Sequence, residues 1–341
     1  MTPEEYASKL QEWNAKHEKT LSAMDEWHCR RMSGVGGSEI AAVMGKNKYK
    51  TAHQLWLEKT FKVPPFTGNA ATLKGQILED AVAKYYEEAT GNAVENDDTH
   101  YRAEDAPWLV GNIDRKIVGG GILECKTSRR NPSDDETEDG YQWGIGNQYD
   151  EYKNLVAADE QIPLNYYLQV QHYMCLTGAE FADVAVLFLT SDFQPFRVYR
   201  VNRNEEVIAK IKTAAHDFML MVLDDVEPQM SDAELAEMYK EATPTAESVE
   251  IDQLLIEEYK AIKAEQKILD EKEKALSDKI KAKLGEREAG TVEGKIVVTW
   301  KSRTSARLDT KRLKEEQPKI YDEFQTQSTI RFFVLTKWKK A

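Results

Sequence analysis

Apolar positions in the first part of the chain recur with the period of a helix. Residues 2–24 read as a polar amphipathic helix, with Thr2 as N-cap and Pro3 at the first helical position. A glycine-rich turn, Ser33-Gly34-Val35-Gly36-Gly37, leads into a helix beginning at Ser38, and another begins near Thr51. A further helix covers 72–90 and stops at Gly91, with Leu73, Ile77, Ala81, Val82 and Tyr85 at helical spacing. The period then changes. Residues 93–101, 108–118 and 122–127 read as strands, and Gly119-Gly120-Gly121 turns between the last two. The stretch 131–160 breaks the pattern and reads as a mobile loop with room for a short helix. Helix returns at Pro163, runs through YYLQVQHYMCL and stops at Gly178; strands at 182–190 and 195–202 and a helix over about 204–224 follow.

This order predicts an α/β fold with a mixed central β-sheet flanked by helices. A boundary near Pro228 divides it into a domain at 1–228 and a C-terminal α+β module at 229–341. The module consists of a long helix at 247–284, a strand at 292–301, a helical segment at 309–325 and a strand at 328–338. Along the long helix Leu255, Tyr259, Ile262, Leu269, Leu276, Ile280 and Leu284 fall near heptad spacing. Gln266 and Glu273 interrupt that seam, which argues against a sustained coiled coil.

Composition narrows the class. The 341 residues are 41% hydrophobic and 31% charged, and no apolar run is long enough to span a bilayer. The first residues carry Glu4 and Glu5 and lack the apolar core of a secretion signal. Cys29, Cys125 and Cys175 have no paired spacing and suit a reducing compartment, so a cytoplasmic location is expected. The net charge of −13 argues against a nonspecific coat on nucleic acid but allows a local basic path. The charge is uneven: 131–160 holds nine acidic residues against one basic, and 291–341 holds twelve basic against six acidic. Either run, taken alone, is equally well a solvated surface.

The candidate chemistry lies in the strands. Asp114 sits in one, and Glu124 and Lys126 sit in the next. Side chains two apart on a strand share a face, so Glu124 and Lys126 project together and hairpin pairing can bring Asp114 beside them. Two carboxylates and a backbone carbonyl such as that of Cys125 make a hard-oxygen site for Mg²⁺ or Mn²⁺. A lysine beside such a site can orient water and stabilise charge on phosphate. A surface hairpin with a cross-strand ion pair gives the same spacing; against it, Ile122-Leu123-Glu124-Cys125 looks half-buried, where an unpaired charge is costly.

Glu79, on the preceding helix, adds a third carboxylate, with Gly75 one turn earlier on the same face; a solvent-facing glutamate is the alternative. Ser38 reads as an N-cap, yet the glycines before it and the helix N–H groups also form an anion site, with Arg31 near enough to grip a phosphate. Gln169, Gln171, His172 and Tyr173 put polar groups into an otherwise apolar helix.

Taken together, these segments resemble the lambda exonuclease and YqaJ-type viral recombinase family of the PD-(D/E)-x-K nucleases. The resemblance rests on Trp27-His28-Cys29-Arg30-Arg31 with Gly36-Gly37-Ser38-Glu39-Ile40, the Gly75/Glu79 helix, Asp114, the Glu124/Lys126 strand, and Gln169-Val170-Gln171, in that order. Ile113 stands where the nominal motif has proline. The resemblance implies a restriction-endonuclease-like core and a 5′-to-3′ exonuclease that acts on double-stranded DNA ends and leaves 3′ overhangs. It implies Asp114, Glu124 and the Cys125 carbonyl as metal ligands with Glu79 assisting, occupancy by two Mg²⁺ ions (Mn²⁺ substituting), and Lys126 activating or positioning the water. Gln171 would shape the site, and Arg31 and Ser38 would hold the DNA 5′-phosphate. A trimeric ring and a single-strand annealing protein as partner are also implied. The rival readings are an endonuclease or RecB-like nuclease of the same chemistry, and a noncatalytic scaffold that binds DNA ends. Iron–sulfur relatives need four cysteine ligands, and this chain has three cysteines.

Overall fold

The structure is a computed structural model that describes residues 1–129, 143–190, 195–240, 248–302, 308–325 and 333–335. The chain divides into two compact units, Met1–Glu234 and Leu235–Ala341.

In the first unit α1 (Pro3–Lys16) starts under a reciprocal cap between Thr2 and Glu5. The single helix expected over 2–24 is broken at His17, and α2 (Glu18–Leu21) follows. Next come α3 (Glu26–Met32), α4 (Gly37–Val43), α5 (Ala52–Lys59, capped by Thr51) and α6 (Ala70–Thr90). The Asn69 side chain caps α6, which ends at Gly91 with φ of 75°, a left-handed turn that glycine adopts without penalty. The buried side of α6 is Val82, Ala83, Tyr86 and Thr90, whereas Leu73, Ile77 and Tyr85 are exposed.

The three strands expected over 93–127 are five shorter pieces: β1 (Val94–Asn96), β2 (Tyr101–Arg102), β3 (Val110–Gly111), β4 (Arg115–Ile117) and β5 (Ile122–Ser128). Residues 131–142 of the acidic stretch lie outside the described residues. Its remainder is irregular except for a small antiparallel pair, β6 (Gln148–Tyr149) with β7 (Leu155–Ala157), and forms no helix. The Asp150 carboxylate closes that turn by accepting from the Tyr152 and Asn154 amides. Then follow α7 (Leu164–Thr177), β8 (Phe181–Phe188), β9 (Phe196–Asn202) and α8 (Glu205–Leu223).

The central sheet has the order β1-β4-β5-β8-β9. The β5/β8 pair is parallel and the others are antiparallel, so the sheet is mixed. β8 is almost wholly apolar because both of its faces are covered. Val184 and Val186 pack with Val170 and Met174 of α7, while Ala185 and Leu123 pack with Val82 and Tyr86 of α6. The exception is buried Asp183, which accepts two bonds from the Arg200 guanidinium at 2.8 Å and one from the Tyr86 hydroxyl at 2.7 Å. Removing one member of such a buried pair costs about 3–5 kcal/mol. A separate helical core gathers Tyr6, Trp13, Ile40, Trp56 and Ile211.

α9 (Asp232–Lys240) leads into the second unit, where Asp252 caps α10 (Gln253–Leu284). The strand expected at 292–301 is a hairpin, β10 (Ala289–Val292) with β11 (Lys295–Thr299). Its turn residues, Glu293 and Gly294, both have positive φ, as a tight two-residue turn requires. The expected helical segment is two pieces, α11 (Thr310–Glu316) and α12 (Pro318–Glu323). Of the strand expected at 328–338 only 333–335 are described, and they form no strand. Among the described residues, no helix is long and apolar enough to cross a membrane.

Candidate active site

β5 carries Ile122, Glu124 and Lys126 on one face, and that face lies under α7. Asp114 stands just before β4, and its Oδ2 accepts the Cys125 backbone N–H at 2.7 Å. The clasp brings Asp114 to the strand segment between Glu124 and Lys126. One oxygen of Glu124, Oε1, accepts from the Lys126 ammonium and, at 2.7 Å, from the Gln169 amide. The other, Oε2, is buried and has no hydrogen-bond partner. Lys126 Nζ lies 5.1 Å from the centre of the Tyr166 ring. These groups line a cavity of about 460 Å³, whose wall also includes Ser38, Gly75 and Glu79.

The electrostatics favour a cation. Burial, and then the neighbouring Glu124 carboxylate, push Asp114 up to about 8. Burial alone would depress Lys126, but Glu124 and Asp114 outweigh it and hold the ammonium above the ordinary lysine range. Burial, then the same carboxylates, push the Cys125 thiol above its usual range, so Cys125 offers no thiolate. Below about pH 8 Asp114 holds a proton in place of a cation, and a metal that displaced it would meet two buried carboxylates, one with an oxygen that has no hydrogen-bond partner. Carboxylate and carbonyl donors of this kind fit Mg²⁺, which keeps several of its waters. Among the described residues no three His, Cys, Asp or Glu side chains form a ligand group. The third carboxylate is diverted: Glu79 Oε1 bonds Arg115 at 2.7 Å, although Glu79 lines the same cavity.

α4 forms the adjoining wall. A side chain at Gly37 would place its Cβ 2.4 Å from the Tyr173 ring, so only glycine lets α4 approach α7 this closely. The N-cap is Gly36, not Ser38, and the Glu39 carboxylate accepts the Gly36 N–H at 2.9 Å. Ser38 lies in the first turn and faces the cavity. Arg31 does not line it; its guanidinium bonds Glu39 at 2.8 Å and lies over the Trp27 ring. Fully buried Lys59 ties this corner together by donating to the Arg31 and Gly34 carbonyls, each at 2.8 Å, and by pairing with Glu39 at 2.9 Å. Burial alone would raise the Glu39 carboxyl, yet Lys59 and Arg31 hold it well below the usual range.

The structure therefore brings Asp114, Glu124, Cys125, Lys126, Glu79 and Ser38 to one cavity and sets Arg31 beside it. It corrects the role expected for Gln171. That side chain is fully buried and bonds the Asn202 carbonyl and the Asn204 amide, because two residues along a helix turn it away from the face of Gln169. Tyr166, Gln169 and Tyr173 recur at i, i+3 and i+7 on the face that does reach the site, a spacing visible in the sequence. Lys59 and Arg115 left no such signal, since each looks like an ordinary surface cation.

Comparison with known proteins bears on the same region. Residues 26–180 match the family described as YqaJ-like viral recombinase domain. YqaJ of Bacillus subtilis (strain 168), an uncharacterized protein, is 32% identical over 322 residues, covering 91% of this chain and 93% of that protein. An alkaline exonuclease of Laribacter hongkongensis superposes with a TM-score of 0.45 at 20% identity, over 60% of this chain and 95% of its own. A phage-related exonuclease of Haemophilus somnus 129PT gives 0.41 at 17% identity, over 57% and 95%. With a relative this similar along nearly its whole length, the chain belongs to the YqaJ-like viral recombinase family.

Proposed function

We propose that this protein is a metal-dependent exonuclease that digests one strand of duplex DNA from the 5′ end and leaves a 3′ overhang for recombination by strand annealing. The observation that carries this reading is the convergence of Asp114, Glu124 and Lys126 in one cavity, with Glu124 Oε2 buried and unpartnered. Family membership through a domain described as a viral recombinase supports the biological setting.

Asp114, Glu124 and the Cys125 carbonyl would hold Mg²⁺, and Glu79 would join a second ion on release from Arg115. The bound ion would supply Lewis-acid polarisation of the phosphate and ready ionisation of water. Lys126, held above the ordinary lysine range in the metal-free site, would orient the attacking water and offset phosphate charge. Gln169 holds the Glu124 carboxylate in place. Ser38 on the cavity wall and Arg31 beside it would receive the 5′-phosphate, Arg31 exchanging part of its bond to Glu39 for the phosphate oxygens. A homotrimeric ring around DNA, a single-strand annealing partner and a cytoplasmic location complete the proposal. A closed ring would retain DNA by topology, which suits a chain of net charge −13.

Digestion of 5′-phosphorylated linear, 5′-hydroxyl linear and closed circular duplex DNA with Mg²⁺ tests the reading. The expected result is loss of one strand from phosphorylated linear DNA, with Lys126→Ala slower by roughly 100-fold or more. Cutting of circles would replace it with an endonuclease, and no metal-dependent cleavage of any substrate with a noncatalytic end-binding scaffold.

A further inference from the structure

α10 presents Leu255, Ile262, Leu269 and Leu276 at intervals of seven, each between 50 and 60% exposed. Tyr259, Gln266, Glu273 and Ile280, each four residues further on, share the same side. The seam from 255 to 280 is about 39 Å long at ~1.5 Å per residue. An apolar groove flanks each end. One, of about 510 Å³, lies among Leu255, Tyr259, Ile262 and Phe333, and the other, of about 340 Å³, among Leu276, Ile280, Val298 and Trp300. An exposed row of apolar side chains of this kind, broken only by Gln266 and Glu273, marks an interaction surface. We propose that its occupant is α10 of a second copy of this chain, packed antiparallel.

Charge selects both the occupant and the direction. One flank of the seam carries Glu258, Glu265, Lys272 and Lys279, acidic in its first half and basic in its second; the other flank carries Lys263 and Asp270. Among the described residues none of these six side chains makes an ion pair within the chain. In an antiparallel pair that sets Leu255 on the partner's Ile280, Tyr259 meets the partner's Leu276 and Gln266 meets the partner's Leu269. The same register sets Glu258 against the partner's Lys279, Glu265 against the partner's Lys272, and Lys263 against the partner's Asp270. All three flank contacts are then attractive, and each occurs twice by symmetry. An in-register parallel pair would keep one attractive contact, Glu258 with the partner's Lys263, but would oppose Glu265 to the partner's Asp270 and stack Glu273 on its own copy. Such exposed pairs add little affinity individually but fix orientation and partner. Glu273 meets the partner's Ile262 and weakens the seam, a polar position that costs stability while setting register. The contact is isologous, so each one closes between two copies, and three of them would join two of the proposed trimeric rings.

Sedimentation of the full-length chain tests the pairing with two variants, E258K/E265K and K272E/K279E, all at exposed helix positions. Each variant alone faces like charges and is expected to sediment at half the wild-type mass, its association weakened at least tenfold. An equimolar mixture restores every opposite-charge contact and should return to the wild-type mass. Wild-type mass in either variant alone, a wild-type particle no heavier than the variants, or a mixture that stays at half mass would overturn the proposal.

Discussion

Gln169 and Gln171 are one motif in the sequence and do unlike work in the fold. Gln169 donates to Glu124 inside the cavity, while Gln171 ties α7 to the segment that enters α8. A group that orients a metal ligand changes metal affinity or activity by roughly 10–100-fold when removed. Gln169→Leu should therefore raise the Mg²⁺ concentration for half-maximal cleavage by about that factor, with partial rescue at excess Mg²⁺ and little change in melting temperature. Gln171→Leu should do the reverse. It removes, from a fully buried position, both bonds that tie α7 to the Asn202–Asn204 segment, so the melting temperature should fall while the Mg²⁺ requirement stays where it was. Identical Mg²⁺ titrations for the two variants would defeat the assignment. The strand residues were legible in the sequence because a period of two puts Glu124 and Lys126 on one face whatever lies around them. The glutamines were not, because which face of a buried helix meets the site depends on packing, here on Gly37 admitting Tyr173.

Within α7 the neighbouring His172 gives the element a pH dependence. Its ring is fully buried, with Nε2 2.9 Å from the Val110 carbonyl and Nδ1 without a partner. Burial depresses its pKa to about 4, only partly opposed by the Val110 bond. Between about 6.5 and 4 the unfolded chain takes up a proton that the native ring refuses. The contribution to stability is thus fully present above about 6.5 and is lost as pH falls toward 4, by about 3 kcal/mol in all. Asp114 pulls the other way, because its raised pKa makes the native state bind the extra proton. The observable is therefore the difference in unfolding free energy between wild type and His172→Gln, measured without metal. That difference should shift by about 3 kcal/mol against the wild type from pH 7 to pH 4; a pH-independent difference would refute it. Element by element, helix ends were the most legible features, since Thr51, Gly91 and Gly178 act through local backbone chemistry. The break between β3 and β4 at Asp114 was not, because it follows from the clasp of that carboxylate onto the Cys125 amide across the sheet. The paired β6 and β7 were hidden by the acidic composition around them.

Core and charge are distributed differently between the two units of the molecule. Every buried hydrophobic side chain among the described residues lies in 1–234 except Leu284. Residues 1–234 hold 24 basic against 39 acidic side chains, and 235–341 hold 22 against 20, with the basic excess after 290. Affinity for a duplex comes largely from neutralised phosphates, so an acidic unit that acts on DNA as proposed would gain from a basic appendage. A chain ending at Glu234 should keep its fold, since its core is intact without the remainder, and should melt within a few degrees of the full protein. It should bind duplex ends about tenfold more weakly near 0.1 M salt, and its plot of log affinity against log salt should be shallower by ~2 for about two lost phosphate contacts. Cleavage of ends already bound, read in single turnover, should be nearly unchanged, because Asp114, Glu124 and Lys126 are all in the first unit. Fluorescence anisotropy across a salt series separates the outcomes. Equal affinity and equal slope for the two chains would show that the basic tail does not touch DNA, and would leave the pairing of α10 as the principal work of the second unit.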